Sequence, residues 1–197
     1  MIPELPLTLV SSLERRLVTA TAVATSPFTG TEQVQDWGGE WWDYGFEIAR
    51  MNGRDGRRLS AFLTALGGPR GLFLFRDPTI RQPGIAYTPM VAGAGQTGGT
   101  LNTNGWPASS TPLFAGDFFS LGTDQQTRLY QLTSDVVSNA SGLATISFVP
   151  KLRSAPADGA ALEIAAPALL LRLTAPVPTR IGRADTFLFT LTAREAL

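Results

Sequence analysis

The sequence of 197 residues contains no cysteine and no histidine. Without cysteine there can be no disulfide and no thiolate metal site. Without histidine the chain lacks the most common general base and metal ligand, and Ser–His or Cys–His catalytic arrangements cannot form. Lys151 is the only lysine among the 16 basic residues, and its setting favours an exposed charge at a strand end over a Ser–Lys base. We therefore expect no catalytic residue, no cofactor and no metal.

Charge is sparse and balanced. Charged residues make up 16% of the chain, against about 25% in an average protein, and 16 basic and 16 acidic residues give a net charge of zero. This total shows no electrostatic footprint for nucleic acid or an anionic membrane. No apolar run reaches the ~18 residues of a membrane span, and the N-terminus lacks the basic segment of a secretory signal. We expect a protein made in the cytoplasm, with no membrane segment and no sequence-specific nucleic-acid partner.

Alternating and β-branched stretches predict a mainly β protein. Residues 17–23 (LVTATAV) are typical of a strand. In residues 41–48 the side chains of Trp42, Tyr44, Phe46 and Ile48 fall on one face, which predicts a half-buried strand. Further strands are expected in residues 72–75, 113–119, 128–133, 144–149, 162–164, 169–173 and 186–191.

One α-helix is expected. Its apolar stripe consists of Leu59, Phe62, Leu63 and Leu66, at helical spacing. Asp55 is expected to cap its N-terminus, and the glycines of residues 67–68, before Pro69, to end it. We predict a discontinuous β-sandwich or split-barrel domain with this helix, formed by residues 1–85 and 168–197. Residues 86–167 would form an inserted small β-barrel or sandwich domain.

Glycines 93, 95 and 98 spell GxGxxG, a pattern of dinucleotide sites. Such a site needs a helix to follow the glycines, and residues 101–107 (LNTNGWP) are poorly suited to start one. The pattern therefore favours a plain loop or a weakly packed strand edge.

Tryptophans supply the candidate contact residues. Trp37, Trp41 and Trp106 are candidates for contact with a partner surface or a glycan. The first two lie among the acidic residues Asp36, Glu40, Asp43 and Glu47. Paired carboxylates beside aromatics also occur in glycosidases, so an enzyme using Glu40 or Glu47 is a further alternative. The apolar face that contains Trp42 favours core packing and an interface instead.

The order of several short motifs resembles that of one structural family. The motifs are TGTEQ at residues 29–33, GEWW at 39–42, FLTALGG at 62–68, GLFL at 71–74 and AGDFFSLG at 115–122. In this order they resemble the distal tail proteins of siphophages and related tailed particles, including those like gene-transfer agents. The likeness covers most of residues 28–197, up to a similar closing strand.

The resemblance implies a virion protein at the tail tip. It implies a β core that assembles as a homo-hexameric ring, joining the tail tube protein to the baseplate hub protein and the receptor-binding apparatus. The inserted residues would then form an outer domain, and the chain would be made in a bacterial host cytoplasm. The closing strand and the strand at 41–48 could supply the sheet edges that a ring needs. A carbohydrate-binding module that contacts host-surface glycans is the alternative.

Overall fold

The computed structural model describes residues 2–6, 10–82 and 85–197. The chain is mainly β, with 47% of the described residues in strands and isolated bridges, and the described part contains one α-helix, α1 (Gly53–Leu66). The mainly β prediction of the sandwich and barrel class, with one α-helix, is therefore confirmed. The strands are β1 (Val10–Thr25), β2 (Glu32–Ile48), β3 (Met51–Asn52), β4 (Leu72–Arg76), β5 (Met90–Val91), β6 (Gly98–Asn104), β7 (Phe118–Leu121), β8 (Arg128–Leu132), β9 (Ala144–Leu152), β10 (Ala168–Leu173), β11 (Arg180–Gly182), β12 (Thr186–Leu188) and β13 (Thr190–Glu195).

The main sheet has five antiparallel strands in the order β1-β2-β13-β10-β4. The outer edge of β4 is covered by the N-terminal segment, because Leu5 N donates to Leu74 O at 3.0 Å and Leu74 N to Pro3 O at 2.9 Å. Among the described residues β1 pairs with β2 alone, so the other edge is open. The expected edge strands are corrected here: β2 and β13 both lie inside the sheet, and β1 is the free edge.

The stretch predicted as one closing strand, residues 186–191, is two strands in different sheets. β12 joins a small sheet of order β11-β12-β3, whereas β13 pairs with β2 and β10. The chain crosses between the sheets at Phe189, whose carbonyl accepts from Ile48 N at 3.1 Å. The expected pairing of this closing stretch with the N-terminal sheet is confirmed.

The inner face of the main sheet packs against α1. The alternation predicted for residues 41–48 is confirmed, because Trp42, Tyr44, Phe46 and Ile48 are all buried. The helix begins at Gly53, one residue after Asn52, and Asp55 lies within its first turn. The cap predicted at Asp55 is therefore wrong. The helix ends as predicted, at Gly67 in the left-handed conformation with φ 65°.

The second five-stranded sheet has the order β5-β6-β9-β8-β7. Gly93 and Gly95 lie in the loop between β5 and β6, but Gly98 begins β6, which pairs with both β5 and β9. The loop expectation holds for the first two glycines only. The strand expected at residues 113–119 begins at Phe118, and the one expected at 162–164 makes only isolated bridges.

The buried side chains form two hydrophobic clusters. One lies between the main sheet and α1. The other is formed by side chains of the second sheet and of the loops next to its strands. Phe118 and Leu129, from strands of the second sheet, belong to the first cluster. The division into residues 1–85 plus 168–197 and an insert of 86–167 stays a prediction.

Candidate interaction surface: an exposed hairpin arm

The far end of the β1–β2 hairpin extends away from both hydrophobic clusters. We call residues 21–36 the arm; every residue in it is exposed except Ser26, which is half-buried. The arm is a regular antiparallel ladder, with Val23 opposite Val34 and Thr25 opposite Glu32. Because side chains alternate along a strand, one face presents both valines and the other presents alanines and glutamines. An exposed, ordered ladder with an apolar face is typical of a protein contact surface.

The tip of the arm is an ordered turn. Ser26 N donates to Thr31 O at 2.9 Å, and Gly30 N donates to Ser26 O at 3.0 Å. Gly30 has a φ of 69°, a conformation that most other residues avoid. The turn holds Phe28 at the end of the arm with 94% of its surface exposed. A phenylalanine this exposed on an ordered turn is a candidate anchor for a partner.

A bulge marks the base of the arm. Thr19 pairs with Glu40 and Thr21 with Asp36, so Ala20 faces the three residues 37–39. Gly38 has a φ of 70°, and its N–H donates to Asp36 Oδ1 at 2.7 Å. Trp37 lies in this bulge with 64% of its surface exposed. The bulge locally changes the strand direction and places Trp37 next to the arm, so its role as a contact residue stays a prediction.

Directly after the bulge, β2 is tied to the second sheet. Glu40 Oε2 accepts from Lys151 N at 2.7 Å, and Glu40 O accepts from the Arg153 guanidinium. The same guanidinium donates to Glu195 Oε2 at 3.2 Å. Lys151 Nζ lies 4.0 Å from Glu40 Oε1, so the lysine is a strand-end charge, as predicted. The arm therefore rises from a fixed junction between the two sheets.

Glu195 is the buried carboxylate of this junction. Its Oε2 also accepts from Trp42 N at 3.2 Å, while its Oε1 is buried and has no hydrogen-bond partner in the part of the chain that the structure describes. Burial away from water raises the pKa of Glu195, against the opposing effect of Arg153. Burial, together with the charge of Glu195, also raises the pKa of Tyr130 to about 12.

Trp41 lies on the outer face of the main sheet and is only half-buried. The Arg194 guanidinium lies over its ring, 4.9 Å from the centroid. Arg194 Nε also donates to Asp43 Oδ1 at 2.8 Å, and this hydrogen bond raises the pKa of Arg194. Arg194 therefore occupies one face of the indole, so Trp41 offers less open aromatic surface than Trp37.

Trp106 lies just after β6 and belongs to the second hydrophobic cluster. Only 5% of its surface is exposed, and its Nε1 donates to Thr103 Oγ1 at 2.7 Å. This placement corrects the expectation for Trp106 as a contact residue, because almost none of its surface can reach a partner or a glycan. The sequence pattern missed this because a lone Trp-Pro step after glycine-rich residues resembles a loop.

The acidic residues near the tryptophans do not pair with one another. Glu40 and Glu47 lie seven residues apart on one extended strand, about 23 Å at 3.3 Å per residue. Glycosidase carboxylates are about 5–9.5 Å apart. In residues 2–6, 10–82 and 85–197 no group of three or more acidic side chains could hold a metal ion. No helix in these residues is long and apolar enough to span a bilayer.

The sequence reasoning missed the exposed side chains of the arm. Val23, Phe28 and Val34 were not singled out, because a strand pattern does not show whether a sheet lies behind it. One signal was available: residues 21–36 combine these apolar side chains with no lysine or arginine. Comparison with known proteins gives no match, either to a protein-family model or among curated sequences.

Proposed function

We propose that this chain is a structural subunit of a ring at the tail tip of a tailed phage or a related particle. The ring would connect the tail tube to the baseplate hub and the receptor-binding apparatus. The proposal joins the resemblance described above to one structural observation, the arm. Hexameric stoichiometry and the two named partners come from the resemblance alone.

The arm carries the proposal because its residues belong to neither hydrophobic cluster of the chain. Its valines, Phe28 and Trp37 are exposed, and exposed apolar side chains in one region mark interaction sites. Among the described residues the outer edge of β1 has no strand partner along its 16 residues, and unpaired edges of this length are normally protected by a partner. A subunit that meets an identical neighbour on each side would cover both features.

The test is the mass of the purified chain by light scattering across a range of concentrations. The expected result is a closed oligomer near six times the 21.0 kDa chain mass. Particles made without this chain should carry tubes that lack a hub. A strictly monomeric chain at its highest soluble concentration, together with complete tails in its absence, would overturn the proposal.

A carbohydrate-binding role has the exposed Trp37 in its favour, since an open indole face beside polar groups suits a sugar ring. Trp106 is buried, and Arg194 lies over one face of Trp41, so this alternative has less support than the ring. A glycan array with the native chain and Trp37→Ala separates the two. Binding lost in the variant supports the sugar-binding role, and silence with the native chain removes it.

A further inference from the structure

One face of the arm combines apolar and acidic side chains. Glu32 and Asp36 lie on it, and the arm contains no basic residue. Val23 pairs with Val34 at the centre of this face, and Glu32 and Asp36 lie two positions to either side of Val34. Since side chains two positions apart share a face, the two carboxylates flank the valine pair. A surface that fits this face needs an apolar centre and positive charge.

Such a surface lies at the opposite end of the molecule. The distance from Glu32 to Ile48 along β2 is about 50 Å at 3.3 Å per residue. Just beyond Ile48 is a groove lined by Ser11 of β1 and by side chains from residues 47–50, 178–180 and 188–190. We call it the arginine groove. Arg50 and Arg180 line it together with the apolar Leu188, which is 41% exposed.

The two arginines of the groove are available to a partner. Within residues 2–6, 10–82 and 85–197 no carboxylate forms a salt bridge with either of them. Glu47 also lines the groove, so its walls carry two positive charges and one negative. Arg54, Arg58 and Arg183, from the start of α1 and the turn after β11, add positive charge at this end. Asp55 and the Arg57–Asp185 ion pair also lie here, so this end has an excess of positive charge, whereas the arm is acidic.

We propose that the acidic face of the arm docks in the arginine groove of a second copy of this chain. This inference rests on the proposed ring, and it names which surfaces meet. An arm about 50 Å from its own groove cannot fill it, so the contact must be made between chains. The two surfaces differ, so the contact is head-to-tail, the kind that generates a closed ring when successive rotations close.

Charge reversal tests the pairing. One variant carries Glu32→Lys and Asp36→Lys; the other carries Arg50→Glu and Arg180→Glu. Each variant alone places like charges in the contact, so association should weaken tenfold or more in light scattering. Mixed in equal amounts, the two variants should assemble again, because every arm then meets a groove of opposite charge.

Engineered cysteines provide a second test, which is clean because the chain has no native cysteine. Val34→Cys, on the arm, is combined in one chain with Leu188→Cys, in the groove. Oxidation should give a ladder of covalent oligomers on a non-reducing gel. Each single-cysteine variant should run at the mass of one chain on the same gel. The matched control combines Val34→Cys with Val137→Cys, at an exposed position in the loop between β8 and β9, and should give no ladder.

The outcomes separate this inference from the proposed function. Restored assembly in the mixture, with a ladder from the Val34–Leu188 pair alone, supports the docking. A native chain that forms a closed oligomer while the mixture stays dissociated overturns the docking and leaves the ring. Dimers from Val34→Cys alone overturn the docking too, since they mean that two arms meet symmetrically. A native chain that never assembles, together with complete tails formed in its absence, overturns both.

Discussion

Gly56 allows α1 to approach the small sheet closely because it has no side chain. A Cβ at this position would lie 2.3 Å from atoms of the Phe187 ring, far inside van der Waals contact. Phe187 is buried on β12, so it has no room to move away. The helix therefore contacts the sheet through a residue with no side chain.

Gly56→Ala is expected to destabilise the fold by about 1–3 kcal/mol, because the added methyl overpacks the contact with Phe187. Helix propensity alone predicts the opposite, a gain of about 1 kcal/mol. Chemical denaturation measures the difference. Thr64→Ala, at an exposed position of the same helix, is the control and should change stability little. A higher unfolding free energy for Gly56→Ala would show that the close approach is absent in solution.

The buried carboxyl group of Glu195 makes the free energy of unfolding fall as the pH rises. Burial raises its pKa in the folded protein, so the folded chain takes up this proton at a higher pH than the unfolded chain. The resulting stabilisation is fully present below the ordinary glutamate pKa. It is lost as the pH rises through the folded pKa. Above that pH the buried carboxylate is charged and costs stability.

Glu195→Gln should therefore match or exceed the native chain in stability at pH 8, with the difference shrinking as the pH falls. Glutamine keeps an oxygen that can accept from Trp42 N and carries no charge. Thermal unfolding at a series of pH values gives the comparison. Glu195→Ala, which removes both oxygens, should lose about 1–3 kcal/mol at every pH. A native chain whose stability relative to Glu195→Gln does not vary with pH would contradict the argument.

At the scale of elements, the arm is separable from the fold. Its residues are exposed and belong to neither hydrophobic cluster. Replacing residues 22–35 with Asn-Gly would close β1 and β2 with a tight hairpin turn at the Thr21–Asp36 pair. The variant should keep the native melting temperature to within about 4 °C, a shift of roughly 1 kcal/mol or less.

The same deletion should abolish assembly, which light scattering would show as a single species of chain mass. The matched control is a full-length chain with Gln33→Ala and Gln35→Ala, which alters the opposite face of the arm and should assemble normally. An arm-less variant that forms the same oligomer as the native chain would place the contact elsewhere.

Sequence patterns predicted elements with strong local signals. The strand at residues 41–48 and the helix stripe were predicted correctly because burial on one face imposes period two or period 3.6. Asp55 was misread as a cap because it lies close to the true start at Gly53. The break at Phe189 has no local signal, since residues 187–191 alternate as in one strand and only the tertiary partners separate them.

The contact surface was predictable only in part. Trp37 was identified from composition and is exposed, whereas Trp106 has the same residue type and is buried. The difference depends on which strands lie in front of each indole, which is a matter of long-range pairing. The arm itself depends on the absence of a sheet behind β1 and β2, and no pattern within those strands records that absence.

At the scale of the whole molecule, Trp42 joins the two sheets. Its ring packs on Phe118 with the centroids 5.8 Å apart, and its Nε1 donates to Leu129 O at 3.0 Å. Trp42 lies on β2, whereas Phe118 lies on β7 and Leu129 on β8 of the second sheet. Through Trp42 the first hydrophobic cluster therefore extends onto the second sheet.

The native chain should unfold in one transition, with circular dichroism and tryptophan fluorescence coinciding. Trp42→Ala removes both contacts and should cost about 3–5 kcal/mol, and it should separate the two probes as each sheet unfolds by itself. Trp37→Ala, at an exposed position, should change stability by less than about 0.5 kcal/mol. Two resolved transitions in the native chain would show that the sheets are already independent.

The position of β13 has a consequence for how the protein is made. β13 pairs on both sides, with β2 and with β10, yet about 140 residues separate it from β2 along the chain. At 5–20 residues per second a ribosome needs about 7–28 seconds to add them. Throughout that time β2 lacks its neighbour β13. All strands of the second sheet are synthesised in this interval, so that sheet can already fold. Slow codons late in the message would lengthen this exposed period, and a nascent-chain chaperone acting then would raise the yield.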